Sequence, residues 1–297
     1  MRQDAGAVQM RLPAFFGTAV IGFLRDGPAV ASAVFCRQCG FSLALALLLH
    51  SPEVDDFVHP AILPSGYRIR NPEGLRMGNI IELTAADGHK LSAYVAGPAD
   101  AKAGIVVVQE IFGVNHHMRE MADRFAAAGY AVCSPALFDR VKTGVELGYT
   151  ADDVSAGRDL RMQLTDAQVM ADIEAAAKHL GGKKLGIVGY CFGGTVAWWG
   201  ATRSKSFAAS SAWYGGGIAG TKDEHPGCPT QMHFGETDAS IPMTDVDAVR
   251  AAQSKADIHV YNGAGHGFGC DERGSYSKPD YDLAQERTLA FFAKHLG

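Results

Sequence analysis

From Asn79 onward the apolar and polar positions fall into blocks with the periods of successive strands and helices. The stretch NIIELTAADGHKLSAYVAG (79–97) holds two short runs joined by AADGHK, and Asp87-Gly88 is a tight-turn signal, so an antiparallel hairpin is expected. AGIVVVQE (103–110) is continuously apolar until its end, as suits a buried parallel strand. Residues 116–128 place Met118, Met121, Phe125 and Ala128 at helical spacing, and Gly129 closes that helix. YAVCSPALF (130–138) reads as a strand with a Pro-marked exit. Residues 166–180 read as a helix, KLGIVGY (184–190) as a strand and 193–203 as a helix. FAASSAWYGG (207–216) and PTQMHFGETD (229–238) read as strands and 243–254 as a helix. DIHVYNGAGH (257–266) reads as a strand and turn, and 280–296 as the closing helix. Strands alternating with helices predict an α/β fold: a mostly parallel sheet with helices on both faces and an antiparallel hairpin at its start. No internal repeat or low-complexity tract interrupts it.

The first 76 residues do not share this pattern. LPAFFGTAVIGFL (12–24) and FSLALALLL (41–49) are apolar, yet both are shorter than the roughly 18 residues of a membrane span. Arg11 and the ASA at 31–33 have the flavour of an export signal, but Asp4, Arg25 and Asp26 interrupt it. Residues 54–76 are polar, Pro-containing and aperiodic, as in a linker. The expectation is an N-terminal extension over 1–76, disordered or foreign to the native protein, and one folded domain over 77–297 with Met77 as a natural start.

Composition narrows the class without naming a chemistry. The 297 residues are 47% hydrophobic and 20% charged, which is ordinary for a globular protein with a full core. A net charge of −5 gives no reason to expect a nucleic-acid or membrane partner. Six scattered cysteines in a long chain do not make a disulfide framework. Reduced thiols in a cytoplasmic protein are expected. Cys36 and Cys39 form a lone CxxC with no second pair to complete a zinc site. His116 and His117 open a helix without zinc-type spacing and are expected in a solvated cap region. Trp198 and Trp199 are expected to pack in the core, and DERGSYSKPDYD to form a charged solvated loop.

Candidate chemistry centres on GIVGYCFGGTVAWWG (186–200), where a cysteine sits between a strand and a helix. Gly189-Tyr190-Cys191-Phe192-Gly193 is the sulfur counterpart of the G-x-S-x-G nucleophile elbow. The glycines spare a strained turn from side-chain collisions, and Gly194 lets the helix pack closely. The turn aims the Phe192 N–H into the site, and the helix start favours a thiolate at Cys191. A buried structural cysteine is the bland alternative. Partners follow in the order of α/β-hydrolases: Asp238 in GETD after one strand, then His266 in NGAGHGF after the next. His266 is the expected base for Cys191, and Asp238 the group that orients it.

Together VVQEIFGVN with MRE (107–120), GYCFGG (189–194), GETD (235–238) and AGHGF (264–268) resemble the dienelactone hydrolase (carboxymethylenebutenolidase) family over roughly 78–297. The resemblance implies an α/β-hydrolase fold and hydrolysis of a small-molecule ester or lactone through an acyl-enzyme, with neither metal nor organic cofactor. A monomer or small homo-oligomer is expected. The resemblance assigns a Cys-Asp-His triad to Cys191, Asp238 and His266. It also implies that Glu110 contacts the resting cysteine and helps generate the thiolate, and that the Ile111 N–H joins that of Phe192 as an oxyanion hole. Members of the chlorocatechol pathways carry an arginine four residues after the histidine to hold the substrate carboxylate; here that position is Cys270, with Arg273 three residues further on. Arg158, Arg161, Tyr190 and Trp213 are the remaining substrate-binding candidates, with Tyr214 beside Trp213 as a further wall residue. Two other readings stay open: a non-catalytic, thiol-reactive relative, and a thioesterase or other esterase with a different substrate.

Overall fold

The continuous apolar runs become the inner strands of one eight-stranded sheet. In the computed structural model the chain divides into two compact units, Met1–Pro72 and Glu73–Gly297. The structure describes residues 78–297 and, in the first unit, the backbone of five short strand segments between residues 7 and 43. There Ala7–Met10 pairs antiparallel with Ala19–Gly22, and Val34–Phe35 with Ser42–Leu43. The expectations for the linker at 54–76 and for Cys36 and Cys39 lie outside the described residues.

In the second unit the strands are β1 (Asn79–Thr84), β2 (Lys90–Ala96), β3 (Ala103–Val108), β4 (Ala131–Pro135), β5 (Lys184–Tyr190), β6 (Ala209–Trp213), β7 (Thr230–Gly235) and β8 (Asp257–Tyr261). Their order across the sheet is β8-β7-β6-β5-β3-β4-β2-β1. β1 and β2 form the expected antiparallel hairpin, with Gly88 in its turn at φ +83°. β2 runs antiparallel to β4, and every pairing from β4 to β8 is parallel. All six residues of β3 are buried, which explains its unbroken apolar sequence.

The helices are α1 (His116–Ala127), α2 (Ala151–Met162), α3 (Asp166–His179), α4 (Phe192–Arg203), α5 (Met243–Ala252) and α6 (Lys278–Leu296). In α4 every residue from Phe192 to Ala201 is buried, so Trp198 and Trp199 pack in the core. No helix among the described residues is long and apolar enough to cross a membrane.

α2 escapes detection in the sequence for a physical reason. Gly157 is its one buried residue, so it carries no apolar stripe for periodicity to reveal. It is started instead by a capping box, in which the Thr150 hydroxyl accepts from the Asp153 N–H and the Asp153 carboxylate accepts from the Thr150 N–H.

One ion pair ties the sheet's antiparallel end to its helical layer. Arg140, in the turn after β4, donates from Nε and Nη2 to the two oxygens of Asp172 on α3, at 2.8 and 2.7 Å. Its Nη1 also reaches Asp87 in the hairpin turn, at 2.7 Å. Asp172 is fully buried and Arg140 nearly so. Asp172→Ala leaves this guanidinium buried beside a single remaining carboxylate, and is expected to cost about 3 kcal/mol of stability in urea unfolding.

Candidate active site

β5 ends at Tyr190 and α4 begins at Phe192, so the chain reverses around Cys191 alone. Cys191 takes φ +55°, ψ −115°, in the half of conformational space that L-residues avoid. Its own N–H is held by the carbonyl of Trp213 at the end of β6, at 3.0 Å. The glycines around it are required by contact. A Cβ on Gly189 would sit 1.9 Å from the Gly193 carbonyl oxygen, and one on Gly193 would sit 2.3 Å from that of Val108. The Phe192 N–H belongs to the first turn of α4, whose N–H groups have no acceptor within the helix.

The loops after β7 and β8 deliver the other two groups, and they are stitched to each other. The Glu236 N–H donates to the Tyr261 carbonyl and the Thr237 N–H to the Ala264 carbonyl, both at 2.9 Å. This brings Asp238 beside His266. His266 Nδ1 lies 2.7 Å from Asp238 Oδ2, and His266 Nε2 lies 3.2 Å from Cys191 Sγ. Asp238 Oδ1 accepts the Ser240 N–H at 2.8 Å, which fixes the carboxylate. The Ser275 hydroxyl donates to the His266 carbonyl at 2.7 Å and anchors the histidine loop from behind. Cys191 is partly exposed, whereas the Asp238 side chain is fully buried.

Burial opposes charge on His266, yet the Asp238 carboxylate and the Cys191 sulfur outweigh it and push the imidazole up from 6.5 to about 10. The contribution of that proton to stability is therefore full below pH 6.5 and is lost as the pH rises through about 10.

Glu110 follows β3 and is fully buried. Its Oε1 lies 3.3 Å from Nη1 of Arg273, and its Oε2 has no hydrogen-bond partner among the described residues. No hydrogen bond joins Glu110 to Cys191 among the described residues. Arg273 crosses the face of Gly267, where a Cβ would meet its Nη1 at 2.5 Å. The guanidinium also lies 5.7 Å above the Phe112 ring and 5.8 Å above that of Tyr149. The sequence left Arg273 undecided because three extra residues separate it from the position expected of an anchoring arginine.

The other candidates are placed differently. Arg158 is exposed on α2. Arg161 is already engaged: it donates to the Leu164 carbonyl at 2.8 Å and to Asp166 at 3.2 Å, and lies 4.6 Å above the Phe192 ring. Tyr190 and Trp213 are fully buried, and the Trp213 Nε1–H donates to Thr288 at 3.2 Å. They do not open onto a cleft, because both faces of these inner strands are covered. Tyr214 is also fully buried, with its ring edge-on to His266 at 5.3 Å.

The solvated start expected of α1 holds for His116, which is exposed and 2.6 Å from Glu272. It fails for His117, which is fully buried together with Cys270. In a helix the two neighbours differ by about 100° of rotation, so adjacent residues meet solvent and core respectively. Gly157 was also missed. A Cβ there would lie 2.1 Å from the Ile111 carbonyl oxygen, so α2 packs against the peptide that follows the Ile111 N–H expected at an oxyanion.

A model of the dienelactone hydrolase family matches residues 91–296. The chain belongs to that family. A protein of Synechocystis sp. named "Putative carboxymethylenebutenolidase" is 36% identical over 212 residues, 65% of this chain and 86% of that one. A Salmonella typhimurium protein of the same name is 32% identical over 251 residues, 77% of this chain and 92% of that one. The crystal structure of a "Putative Dienelactone Hydrolase" from Klebsiella pneumoniae matches with a TM-score of 0.62 at 33% identity, covering 73% of this chain and 99% of that one. The chain is thus a dienelactone hydrolase-like hydrolase on the α/β-hydrolase fold.

Two outcomes follow from this geometry. Asp238→Asn removes the strongest support for the His266 proton, so the variant loses less stability than the wild type between pH 6.5 and pH 10 in paired denaturation curves. Gly157→Ala pushes on the Ile111 carbonyl, one peptide beyond the N–H expected at the oxyanion, and is expected to lower kcat about ten- to a hundredfold, with the fold intact by circular dichroism.

Proposed function

We propose that this dienelactone hydrolase family member cleaves an ester or lactone through an acyl-enzyme on Cys191. The observation that carries the reading is the unbroken line Sγ–Nε2 and Nδ1–Oδ2, at 3.2 and 2.7 Å, from a strained elbow cysteine to a buried carboxylate.

In this reading the Cys191 proton rests on His266, so the pair stands as thiolate and imidazolium, and Asp238 stabilises that imidazolium. The thiolate attacks the carbonyl carbon, a C–S bond forms, and the carbonyl electron pair moves onto oxygen. The N–H groups of Phe192 and Ile111 receive that oxyanion. Its collapse breaks the C–O bond, and the leaving alkoxide takes the proton from His266. Water, deprotonated by His266, then attacks the thioester; the C–S bond breaks and the acid leaves. In a lactone the alcohol and the acid are the two ends of one product.

Arg273 is the substrate-carboxylate anchor in this reading, because it is the guanidinium that lies across the histidine loop and against Glu110. A docking carboxylate competes with Glu110 for Arg273.

Cys191→Ala is expected to lower turnover of a panel of dienelactones, simple lactones and activated esters by at least about a thousandfold, with an unchanged circular dichroism spectrum. Wild-type protein quenched during turnover should carry an acyl adduct on Cys191 in intact-mass spectra. Full activity in the alanine variant sinks the reading. A wild type inert on every ester, yet oxidised at Cys191 by peroxide, favours a thiol-reactive relative instead.

A further inference from the structure

Three buried side chains beside the catalytic cysteine have no part in the chemistry above, or only a share of one. Glu110 follows β3, His117 stands in the first turn of α1, and Cys270 lies in the loop after β8. All three are fully buried. One carboxylate oxygen, one imidazole nitrogen and one sulfur from them all lie within 4.8 Å of one another.

We propose that Glu110, His117 and Cys270 form a binding site for a borderline-soft divalent cation of the zinc type. Oxygen, nitrogen and sulfur donors are the set such an ion takes, and three protein ligands leave a fourth position for water or another group. A carboxylate and a thiolate together neutralise the charge of a divalent ion. Metal–ligand bonds of about 2.0–2.3 Å put tetrahedral neighbours roughly 3.5 Å apart, so side chains now within 4.8 Å need to close by only about 1 Å.

A second, independent observation points to a ligand. Glu110 Oε2 and both ring nitrogens of His117 have no hydrogen-bond partner among the described residues, although all are sealed from solvent. Native interiors rarely leave such groups unsatisfied. Arg273 occupies Glu110 Oε1 and leaves Oε2 available. Asp271 Oδ1 stands 3.4 Å from His117 Nδ1, close enough for ion pairing but not aligned as a hydrogen bond. Outer carboxylates placed in this way orient metal-bound histidines. Arg273 opposes a cation electrostatically, which favours a site where thiolate and carboxylate bind together over one held by the carboxylate alone. The ligands are separated by 7 and 153 positions along the chain, so no spacing motif announces them.

The test uses the full chain with Cys36→Ser and Cys39→Ser, which removes the other thiol pair, stripped of metal with EDTA and titrated with Zn²⁺ against a chromophoric chelator. About one equivalent should bind. Cys270→Ser and His117→Gln should each weaken that binding at least about tenfold, the scale on which lost metal-site contacts act. Cys191→Ser should leave it unchanged, which separates this site from the hydrolytic reading. Co²⁺ gives a second readout that does not depend on the Cys270 and His117 variants folding: a thiolate-to-cobalt charge-transfer band should appear in the Cys191→Ser protein. No zinc uptake, uptake indifferent to Cys270→Ser, uptake lost with Cys191→Ser, or cobalt bound without that band would each overturn the proposal.

Discussion

The architecture of the site rests on the left-handed bend at Cys191. A side chain is tolerated at φ +55° only if the surrounding backbone leaves no alternative, and here it does not. Gly189 and Gly193 meet backbone to backbone across the turn, and Gly193 abuts the Val108 carbonyl of the neighbouring strand. The Trp213 carbonyl, from the strand on the other side, holds the cysteine's own N–H. Two parallel neighbours therefore clamp the turn, and the sulfur is held at the carboxyl edge of the sheet whatever the loops around it do.

Everything else arrives on loops, and the structure compensates for their freedom. The loops after β7 and β8 are joined by backbone hydrogen bonds before they reach the cysteine, so Asp238 and His266 move as one body. Gly157 of α2 lies against the Ile111 carbonyl. The polar groups near the elbow fall into two sets: Asp238 with His266, and Glu110 with Arg273, His117 and Cys270.

The sequence reveals the parts whose chemistry is local. Hydrophobic periodicity marks β3, α1 and β5, because each buries a face or a whole strand. The glycines around Cys191 mark the elbow, because backbone contact demands them. α2 stays invisible, since a helix that buries one glycine has no apolar stripe. The environment of His117 stays invisible too: adjacent histidines read alike in a sequence, and only packing decides which one turns inward. Arg273 is ambiguous for a related reason. Its reach across Gly267 depends on the path of a loop, and loop paths are not encoded in spacing. Tyr190 and Trp213 read as wall residues because they border the elbow, but their strands are covered on both faces and both side chains lie in the core.

In the mechanism proposed above, the conformation of Cys191 sets the hydrolase's stability against its chemistry at a single codon. Glycine is the residue that this backbone accepts without penalty. A chain selected only for endurance would drift to glycine there, and the sulfur persists against that pull. Thermostabilised descendants of this enzyme should therefore gain their extra degrees elsewhere, leaving this uncomfortable residue in place.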